Sequence, residues 1–343
     1  MTNGKDAVTK RAEQQKKRVK WPLVLLALVL LLVGGYFASQ YLLKDKAVQQ
    51  EAALKAALEM NTENTMDTFK VTVDPDDLMV TEGLDPDWMN ILLLGTDTRK
   101  GMLNEGRSDA MLILSVNKKT GAIKLASLVR DMLVEIPGAS TADKIAHANA
   151  YGGPLLAVKT VNKLFGLNIR HYCSVNFQGF VKAVNILGGV DVVLTKGEAY
   201  RMRLEYSEGP IHLNGAKSLH YVRIRALDNN FGRNERQRKF LVALMEKARQ
   251  GERETVMDAV TQALAMTTTN LSAAELMELI PAALSSKAEI EMISLPEYGY
   301  YTTGRAKNGN NGVIIKKEKT VEAFHRFLYG EPEAMEQPGS RGS

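Results

Sequence analysis

From residue 21 to 43 the chain reads WPLVLLALVLLLVGGYFASQYLL, an uncharged run with no polar face. About 20 apolar residues cross a bilayer as a helix, so the pattern predicts a transmembrane segment. The run exceeds the roughly 7–15 residues of a signal-peptide core and no A-x-A site follows it, which favours an uncleaved anchor. Residues 44–60 are Ala-rich and polar and predict a helical stalk. Residues 61–88 lose periodicity, carry Pro75 and Pro86, and are a linker or small lead-in element.

Beyond that point apolar runs alternate with helical periodicity. Strands are predicted at 91–94, 110–116 and 122–129, the last two separated by the turn signal Lys118-Lys119-Thr120-Gly121. Helical patterns occupy 154–165 and 177–187, and Gly188-Gly189 leads into a strand at 190–194. A long helix is predicted at 234–250, with further helices at 253–266, 272–284 and 319–328 and a strand at 289–295. Strands interleaved with helices predict an α/β domain over 89–330, a central mixed β-sheet with helices on both faces, preceded by one transmembrane helix. The polar, Pro- and Gly-containing stretch 331–343 is expected to be disordered.

The 343 residues are 45% apolar and 24% charged, which excludes collagen-like, wholly disordered and disulfide-scaffold classes. Cys173 is the single cysteine, so no internal disulfide can form. Charge is unevenly spread. Seven Lys and Arg against Asp6 and Glu13 give residues 1–20 the whole chain's net +5, and leave the remainder neutral. Positive-inside logic then makes residues 1–20 a cytoplasmic tail and turns everything after about residue 44 outward from a cell membrane. A neutral body carries no nucleic-acid footprint, and nucleic acid is not an expected partner.

There is no G-x-S-x-G elbow, H-E-x-x-H, Walker A sequence or Cys/His metal spacing. Carboxylates and arginines cluster instead at strand ends. The first strand runs into Gly95-Thr96-Asp97-Thr98-Arg99, the second is entered through Arg107-Ser108-Asp109, and the third leaves through Arg130-Asp131. If the first two strands pair, Asp97 and Asp109 emerge at one sheet edge, where two hard oxygen ligands suit Mg²⁺ with phosphate oxygens. A surface ion pair explains any one of these residues alone; three such strand ends make it a weaker account.

A second constellation runs from Tyr221 through Arg223, Arg225 and Asp228 to Arg233, Arg236 and Gln237. The last three have i, i+3, i+4 spacing at the start of the long helix, which Asn230 or Asn234 would cap. Forked guanidinium groups at a helix N-terminus form a phosphate site; the alternative is a solvated basic helix end paired with Glu235 and Asp228. The strand-end acids and arginines favour a Mg²⁺–polyphosphate site.

The segments NILLLGTDTR (90–99), RSDAMLILSVN (107–117), LVRD (128–131), KIAHANAYGG (144–153), the run from 175 to 192 and YVRIRALDNNFGRNERQRKFL (221–241) together resemble the LytR-CpsA-Psr family. The resemblance implies a membrane-anchored phosphotransferase of the Gram-positive-type envelope. Such an enzyme moves a teichoic acid or capsular polysaccharide from a polyprenyl-pyrophosphate carrier to peptidoglycan. By that resemblance Asp97 and Asp109 match Mg²⁺ ligands, with Mn²⁺ as the alternative metal. Arg107, Arg130, Arg225 and Arg233 match pyrophosphate-contacting arginines, Arg236 and Gln237 complete the motif, and Arg223 joins the same set. Asp109, Asp131 or neither acts as general base; Arg107 and Arg130 are grouped with them as catalytic. Two departures stand out: Asn230 where the family often has an acid, and Asn176 where it often has Asp. A transcriptional attenuator and a polyprenyl-pyrophosphate binding protein or hydrolase are the alternative functions.

Overall fold

The computed structural model describes residues 52, 71–96, 106–225, 227, 230–285 and 287–330. The expected tail 1–20, transmembrane run 21–43, most of the stalk, the 331–343 tail and Asp97 all lie outside the described residues. Among the described residues no helix is long and apolar enough to cross a membrane.

Three consecutive strands, β1 (Trp88–Thr96), β2 (Ser108–Asn117) and β3 (Ile123–Leu128), pair antiparallel. A two-residue ladder of β4 (Leu133–Val134) and β5 (Asp143–Lys144) follows, then α1 (His147–Phe165). The next strand, β6 (His171–Asn176), lies parallel to β1, and α2 (Phe177–Ile186) leaves directly from it. Then come β7 (Val190–Val192), α3 (Lys196–Met202), β8 (Ile211–Leu213) and α4 (Gly215–Val222). The long α5 (Asn230–Gln250) precedes α6 (Arg253–Leu264), β9 (Thr268–Thr269) and α7 (Ala273–Ser285). The chain closes with β10 (Glu291–Leu295), the hairpin β11 (Tyr301–Arg305) and β12 (Asn311–Ile315), and α8 (Lys317–Tyr329).

The six-stranded sheet has the order β10-β3-β2-β1-β6-β9. It is parallel at β10–β3 and β1–β6 and antiparallel elsewhere, the mixed sheet the sequence predicts. The continuous apolar run in β1 follows from burial on both faces. Leu92 and Leu94 join Met111, Ile113 and Leu128 in packing against Leu156, Val161 and Phe165 of α1 and Phe324 of α8. Ile91 packs with Val116 on the other face, against Leu276 and Leu279 of α7.

A separate apolar cluster stands beside the sheet, built from Val184, Val190, Leu213, Tyr221 and Phe240. The predicted strand at 190–194 belongs here: β7 pairs with β8 alone, outside the main sheet. Short elements in this region are held at their N-termini by side chains. Asn176 caps α2 by accepting from the Gly179 N–H at 2.8 Å, and Asn214 caps α4 by accepting from Lys217 at 3.0 Å. Thr195 and Glu198 form a reciprocal capping box on α3. The helix predicted at 154–165 is the second segment of α1, which resumes at Pro154 after the non-helical Gly152 and Gly153.

Candidate functional site

The register of β1 on β2 shifts at its end. Gly95 faces Ala110 but Thr96 faces Ser108, which leaves Asp109 as the extra residue of a bulge. Bulges re-aim side chains, and here the residue concerned is the strand-entry acid that the sequence singled out. The antiparallel pairing of β2 with β3, with Leu112 opposite Ser127, brings Arg130 beside it just past the end of β3.

Three guanidinium groups converge on Asp109. Arg130 donates through Nη1 to Oδ1, and Arg225 donates through Nη2 to Oδ2 at 3.0 Å. Arg233, from the second turn of α5, donates through Nη2 to the Asp109 carbonyl. The Arg233 side chain is buried at 2% exposure. Burial, together with the charges of Arg130 and Arg225, lowers its pKa to about 10, with Asp109 and Asp131 opposing the shift. It remains a cation at neutral pH.

Asp131 has a different environment. Its carboxylate accepts from Asn230 Nδ2 at 2.6 Å and pairs with Lys144 Nζ at 3.0 Å, while Arg130 Nε stands 3.7 Å away. Burial pushes this carboxyl up, but Lys144, Arg130 and Asn230 outweigh it and hold it below the usual carboxylate value.

Two chambers meet at the cluster. The first, of about 340 Å³, is apolar and walled by Phe180 and Ala183 of α2 with Leu187 just past its end, Leu219 of α4, and Phe240 and Leu244 of α5. Asp109, Arg223, Arg225 and Arg233 line one part of it. The second, of about 800 Å³, is polar and lined by Arg107, Arg201, His220, Arg223 and Arg225. Asp109, Phe177, Leu219, Arg223 and Arg225 line both. The guanidinium carbon of Arg223 lies 4.1 Å from the centroid of the Phe177 ring, a cation–π contact at this shared wall.

Of the residues expected from sequence, Arg130, Arg225 and Arg233 each contact Asp109, and Arg107 and Arg223 line the adjoining polar chamber. Gln237 lines the apolar chamber and donates to the Val222 carbonyl at 3.4 Å. Arg236 departs from the expectation. It is 3% exposed, donates to the Ile224 carbonyl at 2.6 Å and lies 3.7 Å from Glu198 Oε1, so it braces the 223–225 segment from behind. At about 100° per residue, Gln237 and Arg236 fall on opposite sides of Arg233, and only one of those sides faces the chambers. Asp131 lines neither chamber and is engaged by Lys144 and Asn230.

Lys144, Arg201, His220 and Phe177 escaped the sequence reading as site residues. Lys144 and Phe177 lie inside or beside the recognised motifs; Arg201 and His220 carry no local signal, since folding of α3 and α4 brings them to the chamber. Among the described residues no group of three or more His, Cys, Asp and Glu side chains converges.

A model of the LytR_cpsA_psr family matches residues 44–326. A polyisoprenyl-teichoic acid–peptidoglycan teichoic acid transferase, TagU, of Oceanobacillus iheyensis is 36% identical over 251 residues, which cover 69% of this chain and 72% of that protein. Its namesake from Bacillus subtilis is 30% identical over 239 residues, covering 69% and 73%. The crystal structure of B. subtilis TagV superposes with a TM-score of 0.59 at 25% identity, over 73% of this chain and all of that one. TagT with bound octaprenyl pyrophosphate lipid superposes with a TM-score of 0.56 at 26% identity, over 77% and 98%. With the motifs, the sheet and the arginine cluster all in place, the chain belongs to the LytR-CpsA-Psr family.

Proposed function

We propose that this protein transfers an anionic glycopolymer from a polyprenyl-pyrophosphate carrier to peptidoglycan, forming a phosphodiester link. The observation that carries the proposal is the junction of an apolar chamber with a cluster of arginines at Asp109, a shape matched to a molecule that is hydrocarbon at one end and diphosphate at the next. The buried Nε of Arg233 has no acceptor among the described residues. A buried cationic donor without a partner calls for an anion, and a phosphate oxygen supplies one. The relatives' names, and the lipids bound to TagT, point the same way.

In this reading the prenyl tail occupies the apolar chamber, and the pyrophosphate lies against Arg130, Arg225 and Arg233. The glycan extends into the polar chamber. A peptidoglycan hydroxyl attacks the sugar-proximal phosphorus in line. A new P–O bond forms, the bond to the bridging oxygen breaks, and polyprenyl phosphate leaves. Catalysis of this kind rests on position and charge stabilisation, so no Ser or Cys nucleophile is needed. Asp131 is poorly placed as a base, because it lines neither chamber and its pKa is lowered. Asp109 lines both chambers and is the better placed acceptor for the hydroxyl proton.

Asp109 is the one carboxylate among the described residues lining either chamber. One carboxylate with phosphate oxygens and waters is a usual Mg²⁺ donor set, so the site fits the metal. Asp109, with Asp97 beyond the described residues, would hold Mg²⁺ or Mn²⁺, which would supply charge neutralisation at the phosphates. The uncharged run 21–43 with its basic flank supports a single-pass membrane anchor and an outward-facing domain.

The deciding experiment incubates the full chain in vesicles with labelled prenyl-pyrophosphate oligosaccharide, with and without peptidoglycan. Label transferred to peptidoglycan supports the proposal. Release of free glycan phosphate in both arms makes the protein a hydrolase, and binding without turnover makes it a carrier protein.

A further inference from the structure

The apolar chamber has a charged end and a far end. Phe177, on which Arg223 stacks, opens α2 at the charged end, and Leu187 lines the chamber just past the last residue of that helix. On α5 the lining runs from Arg233 through Gln237 and Leu241 to Leu244. At a rise of 1.5 Å per residue, each wall is about 15–16 Å long. Three bonds of an extended chain span about 3.8 Å, so a four-bond isoprene repeat spans about 5 Å and the walls flank about three repeats.

Lys247 stands in the last turn of α5, one turn beyond Leu244. Its Nζ donates to the Gly188 carbonyl at 2.6 Å and to the Gly189 carbonyl at 2.9 Å. The half-buried side chain thus ties α5 to the segment leaving α2, where Leu187 and Leu244 end the apolar walls. Gly188 and Gly189 turn there with φ of +74° and +71°, and a Cβ on Gly188 would come within 3.3 Å of Nζ. A lysine serving only solubility keeps its rotamer freedom, whereas this one gives it up to bridge two elements. A cation is also favoured at a helix C-terminus, so opening the tie costs free energy.

We infer that Lys247 sets the donor's tail-length preference, as a latch across the far end of the apolar chamber. The latch rests on the transferase reading, which seats the prenyl tail between α2 and α5. A tail of about three repeats ends within the walls and leaves the tie closed. A longer tail continues past Leu187 and Leu244 and displaces Nζ from the two carbonyls. Long donors therefore bind less tightly than their added apolar surface allows. Affinity differences of this kind lie mostly in dissociation, so closing of the latch also speeds departure of a long polyprenyl phosphate.

The test compares the full wild-type chain with Lys247→Met, Lys247→Ala and Lys247→Arg in vesicles of one composition. Synthetic prenyl pyrophosphates with tails of about two, three and eight repeats fall short of, match and exceed the walls. Binding and dissociation are read by displacement of a fluorescent prenyl pyrophosphate. Each lipid's partitioning into the bilayer is common to all the proteins and cancels in the ratio of variant to wild type. For the two shorter tails that ratio is expected to stay near one. The longest tail is expected to bind Lys247→Met and Lys247→Ala about tenfold tighter and to leave more slowly, the effect of one charge-assisted hydrogen bond no longer broken on binding. Lys247→Arg keeps a charged donor at the carbonyls and is expected to match the wild type. A gain equal at every length, no gain at any length, or a gain in Lys247→Arg equal to that in Lys247→Ala overturns the latch. A gain in Lys247→Met alone would come from added apolar surface and overturns it too. The expected length dependence with no transfer of label to peptidoglycan would instead defeat the transferase reading and leave the latch standing.

Discussion

Arg233 holds Asp109 by its backbone, donating from Nη2 to the carbonyl, whereas Arg130 and Arg225 take the two side-chain oxygens. The bulge that re-aims Asp109 is thus pinned from three sides, and the buried Nε of Arg233 has no hydrogen-bond partner among the described residues. Lysine at this position keeps the charge but gathers its donors on one nitrogen and lacks the planar fork that lets Arg233 reach two places at once. Arg233→Lys is expected to lower kcat for polymer transfer by about 10²–10³, the cost of removing one preorganised donor from a developing charge. Vesicle assays with labelled donor measure it; transfer at the wild-type rate would remove Arg233 from the site.

Asp109→Asn separates turnover from binding. The change preserves size but removes the carboxylate that Arg130 and Arg225 share. Three guanidinium groups then keep only the more distant Asp131 as counter-charge among the described residues. With divalent cations chelated, the variant is expected to bind prenyl pyrophosphate more tightly than the wild type, while kcat falls by about 10²-fold or more. Weaker binding together with unchanged kcat would contradict the charge arrangement described here.

How much of this was legible in the chain varies by element. The sheet's first three strands show as apolar runs between turns because both faces of Leu92, Leu94 and their neighbours are buried. The strand-end acids and arginines were visible for the same reason, since they interrupt those runs. The β7–β8 pair is not assignable from sequence, because a three-residue strand alternating apolar, polar and apolar has the same pattern whether it joins a large sheet or a small one. Arg236 looked equivalent to Arg233 by spacing, and only the packing of Glu198 of α3 and the Ile224 carbonyl decides which side of α5 faces the chambers. Arg201 and His220 meet through tertiary folding alone, a relation that no local periodicity encodes.

Acid stability should depend on Asp143. It is buried at 3% exposure and accepts from Tyr151 at 2.6 Å, Asn310 Nδ2 at 2.8 Å, His147 Nδ1 at 2.9 Å and the Lys144 N–H at 2.8 Å. Burial raises this carboxyl, but the donors outweigh it and hold it far below the ordinary value; Tyr151 is correspondingly pushed up to about 12, chiefly by its bond to Asp143. A depressed folded-state pKa contributes stability that is present above the unfolded value of about 3.9 and is lost as pH falls below it. Melting temperature should therefore decline steeply below about pH 4. Asp143→Asn should be less stable at neutral pH and show a flatter acid limb, and an identical acid limb would disprove the assignment.

Gly312 tests the hairpin's role behind the site. The Val313 N–H donates to the Asp131 carbonyl at 2.8 Å, and Tyr301 stacks on Phe231 at the start of α5 with ring centroids 4.8 Å apart. A Cβ at Gly312 would stand 2.5 Å from the Asp131 oxygen and 2.7 Å from Leu133. Alanine there must push back the backbone that carries Arg130. A displacement of about 1 Å costs up to about 10² in rate. Gly312→Ala is accordingly expected to reduce kcat more than prenyl-pyrophosphate affinity, because Arg225, Arg233 and the apolar chamber are not displaced. A loss confined to affinity would refute that role.

The apolar chamber can be probed by narrowing it. Ala183 lines it from α2, opposite side chains of α4 and α5. Phenylalanine at this position would project into a space of about 340 Å³ rather than into packed core. Overpacking a filled core costs about 1–3 kcal/mol, whereas open space accepts the ring with less strain. Ala183→Phe should therefore stay folded, with a melting temperature near that of the wild type. Donors with long prenyl tails should lose kcat/KM because the ring occupies their path, while short-tailed donors, anchored by the same arginines, should be spared. Measuring kcat/KM across a series of tail lengths decides the matter: a loss equal at every length would mean that the tail does not lie between α2, α4 and α5.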